Sequence, residues 1–285
     1  MSSEIPPTHL TTKPTRASAH DRVTGVDVRI DRIGAGEPVI FLNGLLGLNM
    51  HWFSCLGPLA ERHECILLQP PLLEMRGKGC SVEGQLRLTI SLVESLIDRP
   101  AVFLGNSLGG HLCLRMALAR PDLMRGFVLI GSSGLFERSF ERDVQHNPSH
   151  EWLDRKIRDL FHDPDRMPQG AVDHAFQELQ DRRRIRAFVK LGKSAKSDHL
   201  GDQLHMIKTP ALIAWGENDS VTPPTVARQF HEGLPNSRLV WIPECGHAPQ
   251  LERPAELTGA VMRFLDDLAA GVDIRSGVSN HPGVA

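Results

Sequence analysis

Residues 103–112 read FLGNSLGGHL, with a single serine, Ser107, between Gly105 and Gly109. The pattern G-x-S-x-G after an apolar run and before a helix-forming one puts the serine at the tip of a tight, strained turn, where the residues two positions away on either side must be small. Such a turn lifts the hydroxyl above a sheet and aims the Leu108 N–H and the following helix N-terminus at the same point. A serine hydroxyl becomes a useful nucleophile only when a base takes its proton. Of the 14 histidines, His247 in PECGHAPQLERP is the one whose loop leaves the C-terminal end of an expected strand, the edge at which Ser107 emerges; His63 and His111 lack that placement. An imidazole needs an orienting carboxylate. Asp219 in WGENDSVTP leaves the preceding strand at the same edge, with Glu217 as the second choice. Taken alone, Asp219 also reads as a turn residue ahead of Pro223 and Pro224. The chain order Ser107, Asp219, His247 is that of a nucleophile–acid–base set on a parallel sheet, and its chemistry would be acyl transfer.

Positioning three such side chains requires strands that end together. VDVRIDRI (26–33) alternates as a half-buried antiparallel strand would. PVIFLNG (38–44), CILLQ (65–69), AVFLGN (101–106), GFVLIG (126–131), ALIAWG (211–216) and RLVWIP (238–243) are continuous apolar runs, as in parallel strands covered on both faces. Helical patterns lie between them over 81–98, 112–120 and 255–268, with Ser81 placed as a cap. The alternation implies an α/β fold with a mostly parallel sheet and helices on both faces. Residues 135–208 carry no strand pattern but repeated helical stripes, so they read as a helical cap inserted over the C-terminal edge of the sheet. The expected division is a polar tail over 1–20, a core over 21–134 and 209–270, the cap over 135–208, and a second tail over 271–285.

The 285 residues, 41% of them hydrophobic, suffice for one such core. A formal net charge of -2 makes nucleic acid a poor partner. Five scattered cysteines read as buried or incidental thiols of a reducing compartment. The N-terminal stretch lacks the apolar segment of a signal peptide and no run approaches a membrane span, so a cytoplasmic chain is expected.

With GNSLGG at the turn, GENDSVTP at the acid, GHAPQLERP at the base and RGKGCS at 76–81, residues 25–270 resemble the α/β-hydrolase family. The resemblance implies an eight-stranded sheet, a cap over the pocket, no cofactor or metal, and Ser107, Asp219 and His247 as nucleophile, acid and base. It also implies an oxyanion hole from the main-chain N–H groups of Leu45 and Leu108. The family's usual His-Gly is altered here: Asn43 stands in the histidine's place, and is expected to order its loop by hydrogen bonding. QPPLLEM (69–75) reads as a small insertion beside the pocket. Cleavage of a carboxylic ester is the leading expectation, on a small, hydrophobic acyl or aryl substrate. Asn106 before the serine is similar to the meta-cleavage-product hydrolases, which split carbon–carbon bonds and use a cap arginine. Arg182 or Arg183 would take that role, against the plain reading of a solvated helix face. Asn43, Asn106 and Trp152 are the other candidate substrate contacts. A non-catalytic receptor built on the same scaffold is the third reading.

Overall fold

A computed structural model of the chain describes residues 13–136 and 148–275. Eight strands form one sheet in the order β1-β2-β4-β3-β5-β6-β7-β8. They are β1 (Thr15–Asp21), β2 (Val26–Ile33), β3 (Glu37–Leu42), β4 (His63–Gln69), β5 (Ala101–Asn106), β6 (Met124–Ile130), β7 (Ala211–Gly216) and β8 (Ser237–Ile242). The β1–β2 and β2–β4 pairs are antiparallel and the rest are parallel. Every residue of β5 and of β7 is buried, as unbroken apolar runs require.

Helices α1 (Phe53–Ala60), α2 (Val82–Leu96) and α3 (Leu108–Ala119) come from the first half of the chain. Ser81 caps α2 by accepting from the Gly84 N–H, the role its type and place indicate. Between β6 and β7 lie α4 (His150–Arg158), α5 (Ala171–Glu178) and α6 (Arg182–Ser197). Helices α7 (Pro224–Gly233), the short α8 (Pro249–Glu252) and α9 (Pro254–Ala270) complete the fold. Two apolar clusters cover the two faces of the sheet: Ile40, Phe103 and Leu129 point to one, and Val39, Val102 and Val128 to the other. A third, built from Trp152, Leu153, Ile157, Val172, Ile185 and Phe188, takes in Leu45, Leu46 and Ala248 from the loops after β3 and β8. No helix of the described residues is long and apolar enough to cross a membrane.

Both expected tails need correction. All but the last residue of strand β1 lie within the stretch read as an N-terminal tail; all seven of its residues pair with β2. It is almost wholly exposed, so it carries none of the apolar alternation by which a strand is recognised, and main-chain hydrogen bonds hold it. At the other end Ile274 is buried, and its carbonyl accepts from Arg238 Nε. The chain therefore stays packed past 271, while positions 1–12, 137–147 and 276–285 lie outside the described residues.

All five cysteines are buried and unpaired. Burial pushes the thiols of Cys55 and Cys65 up to about 12, which leaves them protonated and inert. His111 of α3 is wholly buried, with Asp198 Oδ2 3.1 Å from its Nε2 and Ser133 Oγ 3.3 Å from its Nδ1. Asp198 is itself paired with Arg115. Burial, helped by the Arg115 charge, pushes the imidazole from 6.5 down to about 3. The folded protein thus holds fewer protons here than the unfolded chain, so this site's contribution is intact above about 6.5 and is lost as pH falls toward 3. Thermal melts between pH 7 and 4.5 should show a falling midpoint, with a shallower fall in a His111→Gln variant. Equal slopes in the two proteins would refute the assignment.

Candidate active site

The turn at Ser107 is dictated by a crossing of backbones. A Cβ on Gly105 would stand 2.3 Å from the carbonyl of Gly109, and one on Gly109 would stand 2.1 Å from the carbonyl oxygen of Leu42. Helix α3 can pack this closely against β5 at Gly105, and against β3 at Gly109, only if both positions lack side chains. Ser107, at the apex, has φ 54 and ψ -116, a conformation a residue with a side chain rarely adopts. Main-chain bonds hold it there: its N–H donates to the Ile130 carbonyl (2.9 Å), and its carbonyl accepts from Ser133 (3.2 Å). Leu108 begins α3, so its N–H belongs to the unpaired first turn of that helix.

Asp219 and His247 meet. Nδ1 of His247 lies 2.9 Å from Oδ2 of Asp219, and both side chains are buried. The carboxylate is held from several sides. Oδ1 accepts from the N–H groups of Val221 (2.8 Å) and Thr222 (2.9 Å), and Oδ2 accepts from the Thr222 hydroxyl (2.7 Å). The turn reading of Asp219 and the acid reading are thus both true of one side chain: one oxygen makes the turn, and the other faces the ring. Glu217, the second-choice acid, sits two residues earlier, directly after β7, and is half-exposed. A Cβ at Gly131, next to the Ile130 that holds Ser107, would stand 2.8 Å from His247 Nδ1. The serine turn and the histidine therefore flank the same end of β6.

Asn106 and Asn43 were expected to touch substrate, and the structure spends their side chains elsewhere. Asn106 Nδ2 donates to the carbonyls of Ile130 (3.0 Å) and His247 (3.1 Å), and its Oδ1 accepts from Gln250 (3.2 Å). It therefore ties the serine turn to the histidine loop. Asn43 Nδ2 donates to Asn49 Oδ1 (2.8 Å) and the Leu68 carbonyl (3.0 Å), while its Oδ1 accepts from Trp52 Nε1 (2.9 Å). Asn49 in turn donates to Asp31 Oδ2 (2.8 Å), a buried carboxylate held by Arg16 and Arg29. Asn43 orders the loop that carries Leu45, as its type suggested, through a chain of partners that reaches β2. Trp152 is packed in the cluster of α4–α6 with Lys156 over its ring. Arg182 and Arg183 are exposed at the start of α6.

Three further residues position the site without having been singled out: Thr222, Gln250 and Glu252. Glu252 is buried, and its carboxylate accepts from the N–H groups of Gly246 (2.6 Å), His162 (2.9 Å) and Asp163 (2.9 Å). It joins the histidine loop to the loop after α4, alongside a bond from the His247 N–H to the Leu160 carbonyl (2.7 Å). Glu252 lies five residues after His247 in a charged, proline-bounded stretch that reads as surface; nothing in its neighbours signals burial.

Residues 39–260 match the model of the alpha/beta hydrolase family. The chain belongs to that family. Among relatives of this hydrolase, the pimeloyl-[acyl-carrier protein] methyl ester esterase of Nitrosomonas europaea is 24% identical over 80% of this chain and 96% of its own length. The 2-hydroxy-6-oxo-6-(2'-aminophenyl)hexa-2,4-dienoic acid hydrolase of Metapseudomonas resinovorans is 23% identical over 85% of this chain and 88% of its own. The meta-cleavage product hydrolase CumD of Pseudomonas fluorescens IP01 shares the fold, with a TM-score of 0.76 at 18% identity, over 88% of this chain and 97% of that one.

Replacing Glu252 by Ala strands one buried and two part-buried N–H groups, and should cost about 1–3 kcal/mol, most of it from the buried Gly246 donor. Urea unfolding measures it; Glu252→Gln, which keeps one acceptor oxygen, should fall between the two. A loss within experimental error of zero for the alanine variant would contradict the role assigned to this carboxylate.

Proposed function

We propose that this hydrolase cleaves a carboxylic ester through an acyl-enzyme, with Ser107 as nucleophile, His247 as general base and acid, and Asp219 as the carboxylate that orients the ring. The observation that carries the reading is the 2.9 Å contact of His247 Nδ1 with a carboxylate whose other lone pairs are already engaged. An ionised carboxylate only accepts, so in the neutral ring Nδ1 holds the proton and Nε2 is the unprotonated, basic nitrogen. Nε2 accepts the Ser107 proton as Oγ adds to the substrate carbonyl. The developing oxyanion is met by the N–H groups of Leu45 and Leu108, each worth about 3 kcal/mol in the transition state. The imidazolium returns its proton to the departing alkoxide. Water, deprotonated by the same Nε2, then releases the acid and restores Ser107. The helices between β6 and β7 serve as the cap over the acyl pocket, packed against Leu45, Leu46 and Ala248 of the loops after β3 and β8.

Relatives that act on esters and on carbon–carbon bonds both occur at similar identity. The ester reading is favoured because Arg182 and Arg183, the arginines that a carbon–carbon hydrolase would use to hold a carboxylate in the pocket, are exposed. The Asn106 amide is likewise spent on main-chain carbonyls.

The wild-type protein should hydrolyse p-nitrophenyl esters and react with a fluorophosphonate at Ser107. Ser107→Ala should lose both while keeping its melting temperature. Asp219→Asn should lower kcat by about 10⁴-fold by imposing the wrong ring tautomer. Retained turnover in Ser107→Ala would mean another nucleophile, and a folded wild-type protein inert to the probe would mean a binding scaffold instead of an enzyme.

A further inference from the structure

A cleft of about 490 Å³ opens between α6 and the segment 73–80, away from Ser107 and His247, neither of which lines it. One wall carries Arg183, Arg186 and Lys190, at the i, i+3, i+7 spacing that puts side chains on one face of a helix. The opposite wall carries Arg76. Five cationic side chains, counting Arg184, face two acidic ones, Glu74 and Asp181, in a protein whose formal charge is -2 overall.

The five cations divide into two kinds. Arg184 and Lys190 brace the walls: Arg184 pairs with Glu74 across the cleft (2.6 Å) and with Glu178 behind it (2.6 Å), and Lys190 Nζ donates to the Gly77 carbonyl (2.6 Å). Among the described residues, Arg76, Arg183 and Arg186 have no such partner for their guanidinium groups. Three unneutralised forks thus line one braced cleft. Keeping them together costs repulsion that an anion would relieve. A guanidinium fork matches the paired oxygens of a phosphate, and three of them match a group carrying more than one negative charge better than a single carboxylate.

We infer that this cleft is a binding site for a phosphate-class anion, held by Arg76, Arg183 and Arg186. Leu73 lines the cleft and also belongs to the apolar cluster that contains Leu45 and Ala248, so one wall of the anion site is joined through that cluster to the loops beside Ser107 and His247. The anion is either a substituent of the substrate or a separate small molecule. The second half of this inference rests on the proposed hydrolase activity; the binding itself does not.

The test uses inorganic pyrophosphate and the full-length Ser107→Ala protein, so that binding is read without turnover. Calorimetry at low ionic strength should show binding at one site. The double variant Arg183→Gln/Arg186→Gln should weaken it at least tenfold, and Arg76→Gln, from the other wall, about threefold or more. Arg87→Gln, on the exposed face of α2, should leave it unchanged. All four side chains are exposed, and matching melting temperatures will show that the variants fold. Absence of binding at millimolar pyrophosphate, or equal affinity in the double variant and the Arg87→Gln control, overturns the site. In wild-type protein, competitive inhibition of a phosphorylated ester, with no effect on a neutral one, identifies the anion as part of the substrate. Binding that leaves the KM of both esters unchanged identifies a free anion. If neither ester is turned over while pyrophosphate still binds, the hydrolase reading fails and the anion site stands.

Discussion

The contact on which everything else depends is the close crossing of α3 over β5 and β3, where Gly105 and Gly109 bring backbone against backbone with no space for a Cβ. That crossing forces the intervening residue into φ 54, and it sets both the height of Ser107 above the sheet and the direction of the Leu108 N–H. The strain is borne by the burial on either side: β5 is covered on both faces, and α3 buries most of its length. Local geometry that unfavourable persists only where the surrounding packing leaves the chain no alternative.

A strained turn does not make a site without loops held to it. Three buried polar hubs do that here. Asn106 fastens the histidine loop to the serine turn, Glu252 fastens the same loop to the segment after α4, and Asn43 fastens the loop bearing Leu45 to Asn49 and through it to Asp31. Each hub is a polar side chain whose partners are supplied by the protein, which is the condition under which a buried polar group adds order instead of cost. Because the partners are mostly main-chain groups, the hubs fix loop backbones and leave the apolar side chains of Leu45, Leu46 and Ala248 to face the helices between β6 and β7.

The basic cleft illustrates a different use of polar groups. There the side chains stand at the surface, and two of the five cations are committed to holding the walls apart at a set distance while three are not. The short segment over 69–75, which stands out as an insertion in the sequence, forms one of those walls through Leu73, Glu74 and Met75.

Periodicity and spacing in the sequence determined the sheet, seven of its strands, the serine turn and the identity of the Asp219–His247 pair, because each of these rests on local patterns: unbroken apolar runs, small residues at fixed offsets, and loops that follow strand ends. Strand β1 escaped because an exposed edge strand needs only main-chain partners and leaves no apolar signature. The roles of Asn106, Thr222, Gln250 and Glu252, and the partners through which Asn43 orders its loop, were decided by tertiary structure alone. Their partners lie at separations such as Asn106 to His247 or His162 to Glu252, and a polar side chain carries in its type no record of which distant carbonyl or N–H it will meet. The three arginines of the cleft belong to the same class. The run over 182–186 reads as a solvated helix face, and only the approach of Arg76 from another part of the chain turns that face into one wall of an open, positively charged cleft.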